Sequence, residues 1–273
     1  MPDALSAHQA WHSSAYADLV GPLLCSDRRL PELASVMAQA SRPASEFTPM
    51  AVLVVITGGA GAIEPAIIWA ERIPEVELVG LEIALRDEAD LAHNARRVVA
   101  MLAQSLPPGP MAAVELPRFG DDLTEGWLAA LDVLAESGHR AKYRTGGVEA
   151  SAFPSETELA AFISAALDRE LPFKCTAGLH RAVRNTVEET ALEQHGFLNV
   201  LLATRASLDG ATEDETAEIL AERDAEKVAT RVAELGDAKR ASTRDWFVSF
   251  GSCSITEPIE DLTALGLLPK GDW

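Results

Sequence analysis

Along the chain, short apolar runs alternate with longer amphipathic stretches, and their lengths predict strands and helices taking turns, as in an α/β protein. Ala51-Val52-Leu53-Val54-Val55-Ile56 is an unbroken run rich in β-branched residues, of the kind buried on both faces of a parallel sheet, and Gly58-Gly59-Ala60-Gly61 closes it. The same grammar then predicts a helix over 63–72, a strand over 76–83, a helix over 88–104, a strand over 112–116 and a helix over 123–137. Strands starting near 141 and 173 come next, followed by helices over 156–169 and roughly 181–193. The apolar run from Phe197 to Ala203 predicts a seventh strand. A helical segment from Thr212 to about Arg223, with capping chemistry from Thr212, Glu213 and Glu215, leads into a charged helix from Asp224 to Leu235. Trp246 to Phe250 is the last strand, before a helix through Ile259 to Leu265. At the other end, residues 1–17 read as a lead-in, and 18–25 as a first strand interrupted by Gly21-Pro22. Leu30, Leu33, Val36 and Met37 recur at helical spacing in a helix to Ala40, which Ser41-Arg42-Pro43 stops.

Strand starts near 19, 51, 76, 112, 141, 173, 198 and 247, each with a helix behind it, predict a single (β/α)8 TIM barrel occupying residues 1–273 as one domain. A doubly wound sheet also alternates, but it usually carries a GxGxxG fingerprint after its first strand. Gly58 to Gly61 follows the second strand candidate without that spacing, and reads as a turn.

Composition narrows the partners. With 23 Lys and Arg against 42 Asp and Glu, the net charge of −19 repels nucleic acid and anionic membrane surfaces, so a small-molecule substrate is expected, and a homo-oligomer is left open. An anionic substrate would require basic residues gathered locally. Cys25, Cys175 and Cys253 are too few and scattered for a disulfide framework, which suits a reducing cytoplasm. No signal-peptide pattern opens the chain, and no apolar run is long enough to span a bilayer.

The candidate chemistry gathers around Arg140 to Gly147 and its echo, Pro172 to His180. Side chains alternate across a strand, so Lys142 shares a face with Arg144, and Lys174 shares one with Thr176. In a barrel the functional groups sit at the C-terminal strand ends, here Glu82, Glu115, Lys142, Arg144, Lys174, Thr176, His180, Asn199 and the Gly251–Ser254 loop. A desolvated amine beside another cation becomes a nucleophile for a carbonyl, so Lys174, with Lys142 as neighbour, is expected to form a Schiff base. Strand parity does not say whether these lysines face the interior or the helices. Glu115, Glu82 or His180 would move protons; alternatively, the two glutamates are rim ion pairs. Arg144, Thr145, Gly146, Gly147, Thr176 and Asn199 would bind substrate, and Gly251, Ser252 and Ser254, before a helix, would seat a phosphate or other anion. No cofactor is required by this reading. The alternatives are a divalent metal held by Glu82 and Glu115 with His180, giving an isomerase or lyase, and a non-catalytic ligand-binding barrel. The cysteines read as small pocket or core residues, and Cys175, beside Lys174, is the one to test for reactivity.

Lys174-Cys175-Thr176-Ala177-Gly178-Leu179, preceded by the first lysine strand and followed by Phe250-Gly251-Ser252-Cys253-Ser254, resembles the ending of the class I deoxyribose-phosphate aldolases. That resemblance implies a Schiff-base lysine, a neighbouring lysine and a Gly-Ser phosphate seat, although here the lysines fall on the fifth and sixth strands and an extra strand intervenes before the Gly-Ser loop. Over most of the chain, Arg144 to Gly147, Phe173 to His180, His195 to Val200 and Ser249 to Leu265 are similar to a family of uncharacterised bacterial proteins, which implies one intact domain and no particular activity.

Overall fold

The computed structural model describes residues 1–39 and 49–270. Ala40 and the expected Ser41-Arg42-Pro43 helix stop lie outside the described residues. Among the described residues seven parallel strands, four in one compact unit and three in another, alternate with helices, so the α/β class holds. The chain divides into two compact units, Met1–Glu115 and Leu116–Lys270.

In the first unit, helix α1 (Pro2–His12) precedes β1 (Leu23–Ser26), α2 (Leu30–Gln39), β2 (Met50–Ile56), α3 (Ile63–Glu71), β3 (Val76–Ala84), α4 (Leu91–Ser105) and β4 (Met111–Glu115). The lead-in is thus largely a helix, and Gly21-Pro22 precedes β1 instead of interrupting it. Val52, Val54, Ile56, Leu81 and Ile83 are buried with Ile63, Ala66, Ile67 and Ala70 of α3, which forms one face of the core. Asp90 ends the β3–α4 connection by accepting the His93 N–H at 2.8 Å, a side-chain cap that starts α4 later than the apolar pattern alone suggests.

The second unit begins with α5 (Glu125–Ser137), β5 (Arg140–Arg144), α6 (Glu156–Leu167) and β6 (Phe173–Thr176). A two-residue hairpin, β7 (Asn185–Thr186) with β8 (Glu193–Gln194), follows where a helix is expected. Then come α7 (Phe197–Leu208), α8 (Glu213–Ala221), α9 (Ala225–Glu234), α10 (Gly236–Arg244), β9 (Phe247–Gly251) and α11 (Thr256–Ala264). Aromatic side chains bind strands to helices: Tyr143 stacks on Phe162 with centroids 4.2 Å apart, Phe162 meets Phe173 edge-on at 5.2 Å, and Phe197 stacks on Phe250 at 4.9 Å.

The expected seventh strand is α7. Its Phe197, Leu198, Val200, Leu202 and Ala203 are all buried, so the helix is apolar around its circumference and shows no one-sided stripe. A short apolar run with that pattern is indistinguishable from a buried strand by periodicity alone. Among the described residues seven parallel strands are therefore present instead of the expected eight, because the expected seventh is a helix. The predicted capping at Thr212 is present as a full box with Glu215.

Candidate functional site

Register places the two lysines side by side. Lys142 of β5 pairs with Lys174 of β6, and Lys174 in turn with Ser249 of β9, giving one row across three parallel strands. Neighbouring strands stand about 4.8 Å apart. Tyr143 and Phe173, the alternate residues, point into the helices, where Tyr143 lies on Phe162 and Phe173 packs against Phe162 and Phe247. Lys142, Arg144, Lys174 and Thr176 consequently occupy the face turned away from α6. Each lysine is only 5% exposed. This settles the parity question the sequence leaves open.

The loops after β5 and β6 are locked together backbone to backbone. The Thr145 N–H donates to Thr176 O at 2.9 Å, and its hydroxyl donates to Ala177 O at 2.6 Å. A Cβ on Gly146 would stand 2.6 Å from Gly178 Cα, and Gly147 lies as tightly against Ala152. Ala177 and Gly178 both have positive φ, 64° and 72°, turning the chain sharply toward His180. Thr145, Gly146 and Gly147 thus shape the strand ends, with the Thr145 hydroxyl already engaged by protein.

Asn199 is remote from this row. It is fully buried on α7, where Oδ1 accepts the Arg184 N–H at 2.9 Å and Nδ2 donates to Ile219 O and Glu222 O at 2.9 and 2.8 Å. All of these bonds clamp α8 and the 181–196 loop, which explains a conspicuous asparagine in an apolar run.

His180 emerges from the β6 loop onto α11. Its Nδ1 lies 2.9 Å from Glu257 Oε2, while Arg181 Nη1 and the Ala182 N–H reach the Asp261 carboxylate at 2.9 and 2.8 Å. Glu257 and Asp261, one helical turn apart, therefore hold the loop to α11. The His180 hydrogen bond keeps the Glu257 carboxyl below its ordinary range. Cys253 Sγ is 3.6 Å from His180 Nε2. This Cys253–His180–Glu257 group escapes sequence reasoning because its members come from separate loops and a helix; only the i, i+4 spacing of Glu257 and Asp261 on an amphipathic helix hints at a docking face.

In the Gly251–Ser254 loop, Ser252 Oγ accepts the Ser254 N–H at 3.2 Å and Ser254 Oγ accepts the Glu257 N–H at 3.3 Å. Two N–H groups expected for an anion are thus engaged by the loop's own hydroxyls, and Glu257 already places a carboxylate in the first turn of α11. Cys175, the cysteine to test for reactivity, is fully buried, as the reading of a core residue expects, and burial pushes its thiol up to about 12. Cys253 is the exposed cysteine.

Glu82 and Glu115 belong to the first unit. Glu82 is in register with Ala113, and Glu115 with Ala84, so both carboxylates share one face of β3 and β4. They are 1% and 9% exposed. Among the described residues no group of three or more His, Cys, Asp or Glu side chains could hold a metal ion, and no helix is long and apolar enough to cross a membrane.

A groove of about 1000 Å³ opens between α7, α8, α9 and α10. None of the candidate residues lines it, and its charges pair among themselves, Asp209 with Arg205 and Lys239 at 2.7 and 3.1 Å.

His195 is structural. Its Nε2–H donates to Pro154 O at 2.9 Å, which leaves Nδ1 to accept from Arg184 Nη1 at 3.2 Å. Burial pushes its pKa down to about 4, from 6.5 for an exposed imidazole. Between those values the unfolded chain binds a proton that the native state refuses, so stability falls as pH drops, by about 3 kcal/mol over the interval. Urea unfolding of the wild type and His195→Gln should give stability differences that shrink from pH 7 to pH 4; parallel curves would contradict the assignment.

No family model, no curated protein and no solved structure matches the chain.

Proposed function

We propose that the protein is a Schiff-base lyase of the class I aldolase type, with Lys174 as nucleophile and Lys142 as its proton-carrying neighbour. The observation that carries this reading is the Lys142–Lys174–Ser249 row, two nearly buried amines and a hydroxyl on one face of three adjacent strands. The resemblance of these strand ends to class I deoxyribose-phosphate aldolases adds support. The chemistry needs only those three strands and does not depend on closure into a (β/α)8 barrel.

Lys174 Nζ adds to a carbonyl carbon, and the carbonyl oxygen leaves as water after two proton transfers, giving an iminium. That cation accepts the electron pair of the adjacent C–C or C–H bond as it breaks, forming an enamine. Lys142, one strand away, exchanges the protons, and the Ser249 hydroxyl holds the departing oxygen. Because Glu257 puts a carboxylate at the start of α11, a short uncharged ketone or aldehyde suits the site better than a phosphorylated one.

Enamine formation washes solvent deuterium into the carbon beside the carbonyl. Acetone and dihydroxyacetone incubated with the protein in D2O should exchange there, followed by NMR. The rate should fall at least about 100-fold in Lys174→Met, the scale of losing a nucleophile or its proton partner. Exchange no faster than buffer, or unchanged in Lys174→Met, would overturn the proposal.

A further inference from the structure

We infer that Cys253, His180 and Glu257 form a second reactive centre, a thiol nucleophile with its base and the base's positioning residue, which takes acyl groups from activated esters or thioesters. A carboxylate only accepts hydrogen bonds, so the 2.9 Å contact to Glu257 Oε2 assigns the proton to His180 Nδ1. Nε2 keeps its lone pair, and it is the ring nitrogen nearer to the sulfur, at 3.6 Å against 3.9 Å for Nδ1. Those two distances put the sulfur beside the ring, on the Nε2 side of it. Cys253 is exposed on the loop before α11, so approach of a substrate is open. His180 itself is fixed from behind, because Glu257 holds its ring and Asp261 holds the two residues that follow it. This is the nucleophile, base and orienting group that covalent catalysis by cysteine requires.

In the first step the proton passes from Sγ to Nε2 and the sulfur attacks the acyl carbon. The C–S bond forms, the bond to the leaving oxygen or sulfur breaks, and the leaving group takes the proton from Nε2. Water, giving a proton to Nε2 as it attacks, then releases the carboxylic acid and restores the thiol. Glu257 stabilises the imidazolium present in both steps. Nothing here involves Lys174, so the centre operates whether or not a Schiff base forms.

The test uses the full chain with p-nitrophenyl acetate. A burst of one p-nitrophenolate per protein is expected, with a hydroxylamine-labile acetyl group on the peptide that contains Cys253. It should be absent in Cys253→Ala and retained in Lys174→Met. His180→Gln should slow acylation about 100-fold. Glu257→Gln should slow it less and displace its pH profile, a change that a merely structural residue would not cause. No burst, acetyl groups confined to lysines, or an unchanged rate in His180→Gln would overturn the inference. A second measurement needs no variant: with iodoacetamide at neutral pH, Cys253 should react faster than free glutathione, while buried Cys25 and Cys175 stay unlabelled. A Cys253 rate equal to or below that of glutathione would overturn it as well.

Discussion

Glu158→Ala should destabilise the second unit by about 3–5 kcal/mol, the cost of removing one partner from a buried ion pair. The Glu158 side chain is 1% exposed at the start of α6, and Arg118 grips it with two nitrogens, Nε at 2.9 Å from Oε1 and Nη2 on Oε2. The Tyr143 hydroxyl donates to the same Oε1 at 2.6 Å from within the aromatic core. Burial and the adjacent carboxylate raise the Tyr143 pKa well above the ordinary phenol range, so it stays a neutral donor. Removing the carboxylate leaves a guanidinium that is 21% exposed and a buried hydroxyl without their acceptor. Urea unfolding should show this loss, and the double variant Glu158→Leu, Arg118→Leu should recover much of it, since an apolar replacement leaves no stranded charge. A single-variant loss under 1 kcal/mol, or a double variant worse than the single, would contradict the account.

The second large effect is expected at Gly178. Its φ of 72° lies in the left-handed region, and a Cβ there would stand 2.7 Å from Thr145 O and 3.0 Å from Gly146 Cα. Backbone atoms cannot swing aside as a side-chain tip can. Gly178→Ala therefore incurs about 1–2 kcal/mol for the backbone conformation and about 1–3 kcal/mol for the overlap. The Thr145 hydrogen bonds that join the two loops would stretch with it. Since His180 follows two residues later, Cys253 alkylation should slow in the same variant even where it remains folded. A loss of less than 1 kcal/mol with unchanged Cys253 reactivity would show that the loops are not locked through these glycines.

The strand–helix grammar is legible wherever an element has one dominant environment. Residues 51–56 form a strand, with Val52, Val54 and Ile56 buried and the alternate residues half-buried, and the observed β2 extends it by one residue, to Met50. Thr212 and Glu215 spell a capping box, and the box is there. Legibility fails where tertiary contacts choose among local options. Phe197 to Leu208 is helical because it packs on all sides, while its apolar run fits a strand equally well. Residues 181–194 carry helix-like charge but are held by Asp261, Asn199 and Arg223, contacts far along the chain that no window could reveal.

For the candidate site, the sequence supplies the pairing of Lys142 with Lys174 through their matching places in two successive strands. It does not supply their common face away from the helices, which depends on Tyr143 and Phe173 pointing into α6. Nor does it separate Cys175 from Cys253: the difference is burial, decided by which face of β6 meets the helices. Asn199 looks like a ligand-binding residue only while its segment is read as a strand.

Borohydride reduction tests the central claim most directly, because it makes an iminium permanent and so reports the atom that carries it. The protein is mixed with dihydroxyacetone or propanal, reduced, digested and mapped by mass. The account predicts one adduct per chain, on the peptide containing Lys174, and none in Lys174→Met. An adduct spread over exposed lysines such as Lys227 and Lys239, or one that persists undiminished in Lys174→Met, would contradict it.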